Sequence, residues 1–107
     1  MSTPAWTPGP WRAVRADDSY EDDAIPVKAA NGFQVCDVYG WATSNHPAMT
    51  MAEAEANASL IAAAPKMAEA LEDALLYVER DEEAHGRKFA VGNTIRAALA
   101  AARGEQP

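Results

Sequence analysis

The dipeptide Asn31-Gly32, set between two runs of strand-forming residues, constrains this chain most. Asn and Gly both tolerate positive φ, so the pair predicts a type I′ turn joining two antiparallel strands. If Ala30 pairs with Phe33, then Val27 faces Cys36 and Ile25 faces Val38, and those four side chains form one apolar face. The other face carries Phe33, Val35 and Tyr39 beside Lys28 and Asp37, so it is expected to be partly covered, by another strand, the N-terminal arm or a second subunit. A lone hairpin is marginal without such support.

Upstream, residues 1-10 form an arm rich in proline and tryptophan, in which Pro8-Gly9-Pro10 continues neither a helix nor a central strand. Trp11 to Arg15 reads as the start of a strand. Downstream, Gly40 to Met49 reads as a loop, and Thr50-Met51-Ala52-Glu53 has the form of a capping box that starts a helix. Ala54, Asn57, Ala58, Ile61 and Ala62 then recur at helical spacing. Pro65 removes a backbone donor and restricts Ala64, so the helix is expected to end or kink there. A second helix follows, with Met67, Leu71, Ala74, Leu75 and Val78 inward and Gly86 as its stop. A third buries Val91, Ile95, Ala98, Leu99 and Ala102 and closes at Gly104. The expectation is one α+β domain over residues 1-107. Its small antiparallel sheet, made of the arm and hairpin within 11-39, packs against two to three C-terminal helices at 50-64, 65-85 and 88-103.

A formal net charge of -7 and a pI near 4.6 oppose binding to a nucleic-acid backbone, which needs clustered Lys and Arg. Asp17, Asp18, Glu21, Asp22 and Asp23 read as a solvated loop, with a DNA-mimicking or cation-binding strip as the alternative. Cys36 is the single cysteine, so it forms no intrachain disulfide, and its apolar neighbours suggest a buried thiol in a reducing compartment. The N-terminus lacks a basic region followed by an apolar run, and no apolar stretch approaches about 18 residues. A cytoplasmic protein is expected, with no membrane contact.

Catalytic chemistry is not indicated. His46 and His85 are isolated and show no metal-ligand spacing with Cys36, and there is neither a Walker loop nor a GxGxxG motif. Acidic pairs such as Asp22-Asp23 and Glu82-Glu83 read as solvated. The expectation is a non-enzyme without cofactor or metal. Alanine supplies much of the apolar content, which limits burial per residue and favours a homo-oligomer.

The candidate binding residues are aromatic and basic. Trp6, Trp11 and Trp41 lie in the arm and loop; they either cap the sheet and helix ends or form a stacking wall for a planar ligand such as a nucleobase, with Arg12 or Arg15 on a phosphate. Asn57, a polar amide on an Ala-Ile stripe, needs a bonding partner if buried: a loop such as the Pro8-Gly9-Pro10 turn, a ligand or another subunit.

Thr7-Pro8-Gly9-Pro10-Trp11 and Glu55-Ala56-Asn57-Ala58-Ser59-Leu60-Ile61-Ala62-Ala63-Ala64-Pro65, continuing through Glu69-Ala70-Leu71, resemble the opening and the helix of a family of small uncharacterised bacteriophage and prophage proteins. The Ile95 to Gly104 segment is similar to that family's ending. Ser59 and Ala68 depart from the pattern, standing where a longer basic residue and a leucine are usual. The resemblance implies phage origin and action inside the bacterial host. It favours function by binding: a homo-oligomeric counter-defence protein that sequesters a nucleotide-derived immune signal, an acidic inhibitor of a host protein, or a minor structural or assembly protein.

Overall fold

The structure, a computed structural model, describes residues 6–14, 24–40 and 50–105. The fold is α+β. Strands β1 (Trp11–Ala13), β2 (Ala24–Ala29) and β3 (Gln34–Tyr39) are followed by helices α1 (Met51–His85) and α2 (Ala90–Ala102). These elements form two compact units, one spanning Thr7–Pro65 and the other comprising Trp6 and the chain from Lys66 onward. Residues 15–23 and 41–49, with the expectations placed on Arg15, the acidic run, Trp41 and His46, lie outside the described residues.

In the first unit the sheet is antiparallel in the order β1-β2-β3. Ile25 faces Val38 and Val27 faces Cys36, as the turn signal predicts. The turn itself differs. Gly32 N–H donates to the Ala29 carbonyl at 3.0 Å and Ala29 N–H to the Phe33 carbonyl at 2.9 Å, which closes a three-residue loop. Only Gly32 takes positive φ (87°), whereas a type I′ turn needs it at Asn31 as well. Asn31 instead accepts the Phe33 N–H on its side-chain oxygen at 3.0 Å, so its amide holds the loop from the side. The longer loop shifts the pairing to Lys28–Gln34, and Val35 is the extra residue that restores the register at Val27–Cys36. That bulge lets Val35 join the same core as Cys36. Phe33 and Tyr39 remain 74% and 55% exposed.

Pro26 explains where β1 ends. Val14 N–H donates to the Pro26 carbonyl at 2.8 Å, but Pro26 has no N–H to return the bond, and the ladder stops at Ala13–Val27.

The start of α1 covers the sheet. Thr50 Oγ1 accepts the Glu53 N–H at 3.2 Å while the Glu53 carboxylate accepts the Thr50 N–H at 3.3 Å, which is the capping box expected from these residues. Ala54 and Ala58 are fully buried against Ile25, Val27 and Val38, with Ile61 and Ala62 alongside. Short side chains allow this close approach, and Gly40 extends it: a Cβ there would lie 2.9 Å from the Ala54 Cβ. Asn57 does not share the buried stripe. It precedes Ala58 by one residue, about 100° around the helix, and is exposed.

Pro65 does not end the helix. α1 runs unbroken from Met51 to His85 with Pro65 inside it. A proline removes one backbone bond, and here strong helix formers on both sides, each bearing its own buried stripe, outweigh that cost. Instead of breaking the helix, Pro65 receives the arm. A Cβ on Gly9 would stand 2.9 Å from the Pro65 Cβ, so the Pro8-Gly9-Pro10 turn and the Ala-Ala-Ala-Pro segment are two sides of one contact. Gly9→Ala should therefore destabilise the protein by about 1–3 kcal/mol, because a rigid ring has little room to yield. Urea unfolding checks this, and an unchanged midpoint would remove the contact from the explanation.

In the second unit, Ala68, Ile95 and Leu99 form a core joined by Trp6, Leu71, Leu75 and Val78. Relative to the sequence reading both helices are rotated. Met67 (43%) and Val91 (55%) are exposed, as are Ala74, Ala98 and Ala102, while Ala68 and Gly92 take the inward positions. Both helices end on a left-handed glycine. Arg87 N–H reaches the Glu82 carbonyl around Gly86 (φ 67°), and Glu105 N–H reaches the Ala100 carbonyl around Gly104 (φ 76°).

Candidate functional site

The inward stripe of α1 in the second unit runs Ala68, Leu71, Leu75, Val78 and then Glu82, a carboxylate only 3% exposed. The reading of Glu82-Glu83 as a solvated pair is therefore corrected for its first member. Glu82 continues the apolar spacing, so helical geometry carries it to α2, where Arg96 meets it with two parallel bonds of 2.9 and 2.8 Å. The Phe89 N–H donates to the same carboxylate at 2.8 Å, and Lys88 Nζ lies 3.9 Å away. α2 has neither a side-chain cap nor an acidic residue in its first turn. Glu82 supplies both from the neighbouring helix, capping the Phe89 amide and placing negative charge at the positive end of α2. Gly92 makes room: a Cβ there would collide with the Glu82 carboxylate oxygen.

These contacts hold the Glu82 carboxyl down to about 2, chiefly through the Arg96 hydrogen bonds and then the Phe89 amide, against the opposing effect of desolvation. Arg96 is pushed above its ordinary value by the same pair. A carboxylate so occupied stays charged near neutral pH and gives neither a base nor an acid there. It is a fastening between two helices.

The residues expected to bind a ligand are distributed between the units. Trp6 joins the helical core of the second unit. Trp11 lies against the sheet core of the first, and its indole N–H donates to the Thr7 carbonyl at 3.0 Å. Arg12 is exposed on β1 directly across from Lys28. Like charges facing each other across a sheet repel, and among the described residues neither has an anionic partner. Sequence reasoning did not connect Lys28 to Arg12, because the β1–β2 register was not read. Cys36 is half-buried, with its thiol pushed up by burial and by Asp37.

The remaining distinctive surface is the outward side of α1 in the second unit. Glu69, Glu72, Leu76, Glu79 and Glu83 recur at spacings of three and four, so they form one row along the helix. Leu76 at its centre is 64% exposed. Glu79 reaches Arg96 at 3.5 Å; Glu69, Glu72 and Glu83 bind no cation among the described residues. The last two acids of the row also line an open cleft of about 550 Å³, together with Glu82, Gly86, Arg87 and Lys88. Such a charged lining differs from the apolar walls that hold most small ligands. The signal was present in the sequence as evenly spaced acids around one leucine, but it reads there as an ordinary solvated face. No helix among the described residues is long and apolar enough to cross a membrane.

Residues 1–106 match the model of the family described as Salmonella phage P22 protein Y8K6. No curated protein and no solved structure matches the chain.

Proposed function

The chain belongs to the Salmonella phage P22 protein Y8K6 family, and on that premise we propose that it is a phage binding protein without catalytic activity. It works as a homo-oligomer in the cytoplasm of the bacterial host and docks on a basic surface of a host protein. The observation that supports this reading is the acidic row on α1, where Glu69, Glu72 and Glu83 are exposed around Leu76 with no cationic partner among the described residues. Carboxylates of one sign steer a basic partner toward the row, and an apolar side chain among them gives contact area once the partner has arrived.

The test is capture of host proteins from lysate on the immobilised protein, with identification by mass spectrometry after a salt gradient. A specific partner should elute early, its affinity falling by on the order of tenfold from low to high ionic strength. If no protein is retained at low salt, the reading fails.

The Arg12–Lys28 pair favours a second reading, the sequestering of a nucleotide-derived immune signal as a counter-defence activity. Two adjacent cations without an anionic partner among the described residues suit a phosphate group. Trp6 and Trp11 lend it less, since each is half-buried in a core of its own. Calorimetry against cyclic and ADP-ribose-derived nucleotides tests it, and weak binding of all of them by folded protein would dismiss it.

A further inference from the structure

Beside the acidic row, a second row on α1 reads Ala70, Asp73, Tyr77, Arg80 and Ala84, again at spacings of three and four and exposed throughout. It spans about 21 Å at the rise of an α-helix. The order of its residues is symmetric in size and opposite in charge about Tyr77: a small residue at each end, an acid on one side and a base on the other. From this we infer that the row is the contact surface for a second copy of the chain, lying antiparallel across a twofold axis at Tyr77. The inference rests on the homo-oligomer reading above and names the surface that would make it.

A twofold axis at Tyr77 places one Tyr77 ring against the other and brings Asp73 of each copy to Arg80 of its partner, so that every favourable contact is made twice. Ala70 and Ala84 then meet at the two ends, where their small side chains let the helices approach. The parallel arrangement would set Asp73 beside Asp73 and Arg80 beside Arg80, so charge alone selects the direction. The row itself carries one acid and one base on a chain of net charge -7, while its neighbours Glu69, Glu72 and Glu83 repel their counterparts in the second copy, so the association should strengthen as salt screens them.

The side chains are disposed for such a contact. Tyr77 is 68% exposed and Leu76 beside it 64%. Asp73, Leu76, Tyr77 and Arg80 line an open notch of about 270 Å³. The Arg80 guanidinium lies 5.7 Å from the centre of the Tyr77 ring, which holds the cation near the position an opposing Asp73 would occupy. A seam of this length buries less than standard interfaces, so weak association that depends on concentration is expected.

Sedimentation velocity on the full chain across a concentration series tests the inference, with Asp73→Arg, Arg80→Asp and the double exchange. Both positions of the charge swap are on the surface, and circular dichroism checks that each of the three variants keeps its helix content. The wild type should dimerise, each single reversal should weaken the dimer about tenfold or more, and the double exchange should restore it. A dimer indifferent to the single reversals would overturn this surface while leaving the homo-oligomer reading standing. Single reversals that dissociate the dimer without rescue by the double exchange would overturn the antiparallel pairing. A wild type that stays monomeric throughout would remove both this surface and the homo-oligomer, and would leave host docking by the acidic row untouched.

Discussion

Glu82→Ala should lower the thermal midpoint by on the order of 10 °C at neutral pH, since removing the buried partner leaves Arg96 only the longer contact with Glu79 to offset its charge. Three losses coincide at this one side chain. Arg96 loses both of its bonds to Glu82 and keeps the one to Asn93, the Phe89 amide at the start of α2 loses its acceptor, and the helix loses the only carboxylate placed to cap it among the described residues. Arg96 is 29% exposed and recovers some hydration, which keeps the loss from being larger. Glu82→Gln should cost less, because the amide oxygen still accepts a bond while the charge is gone.

The same residue sets an acid response. Its carboxyl titrates near the ordinary glutamate value of about 4.3 when unfolded and at about 2 when folded. A depressed folded value means that the stabilisation is fully present above pH about 4.3 and disappears as pH falls toward 2. Glu82→Gln should thus converge on the wild type in that window, and the difference between their unfolding free energies, followed by urea titration, reads Glu82 apart from the other acids. A constant difference from pH 7 down to pH 2 would contradict the assignment.

The other large effect is expected from Leu99→Ala, with a loss of about 2–5 kcal/mol from transfer and cavity formation at a core side chain. Leu99 is 2% exposed and lies in the cluster with Ala68 and Ile95, where few large residues share the burial. Alanine-rich neighbours cannot swing in to fill the space. Leu76→Ala, the same change at a side chain that is 64% exposed, should move stability by less than about 0.5 kcal/mol. Equal effects at the two positions would mean that α1 is rotated relative to the stripe described here.

What the sequence made legible was local chemistry. Thr50 and Glu53 sit three residues apart and satisfy each other, so the helix start needed no knowledge of the rest of the chain. Gly86 and Gly104 announce helix ends in the same way, through a backbone angle that other residues avoid. The Ile25–Val38 pairing was readable because side-chain alternation fixes it. The turn was not, since a two-residue and a three-residue loop use the same Asn-Gly pair, and a single bulge at Val35 reconciles either with the same strands.

Tertiary choices were hidden for a different reason. The rotation of α1 depends on whether a carboxylate at position 82 can be buried, and that is decided by Arg96, fourteen residues away, and by the missing side chain at Gly92. Spacing alone favours the larger Met67 over Ala68 as a core residue. Pro65 likewise reads as a breaker until the buried stripes on either side of it are known. Of the candidate site, Arg12 was named as a phosphate contact but its cross-strand neighbour Lys28 was missed, because cross-strand neighbours outside a hairpin have no signature in the order of residues.

The most direct measurement compares host-protein capture at low salt by the wild type, by Glu69→Gln/Glu72→Gln/Glu83→Gln, and by Arg12→Ala/Lys28→Ala. Glu79 is left in place because it contacts Arg96. Loss of the partner from the variant with the neutralised row, and its retention by the variant of the sheet, is the predicted result. Retention by the neutralised row would contradict docking through α1, and loss from the sheet variant alone would move the binding surface to Arg12 and Lys28.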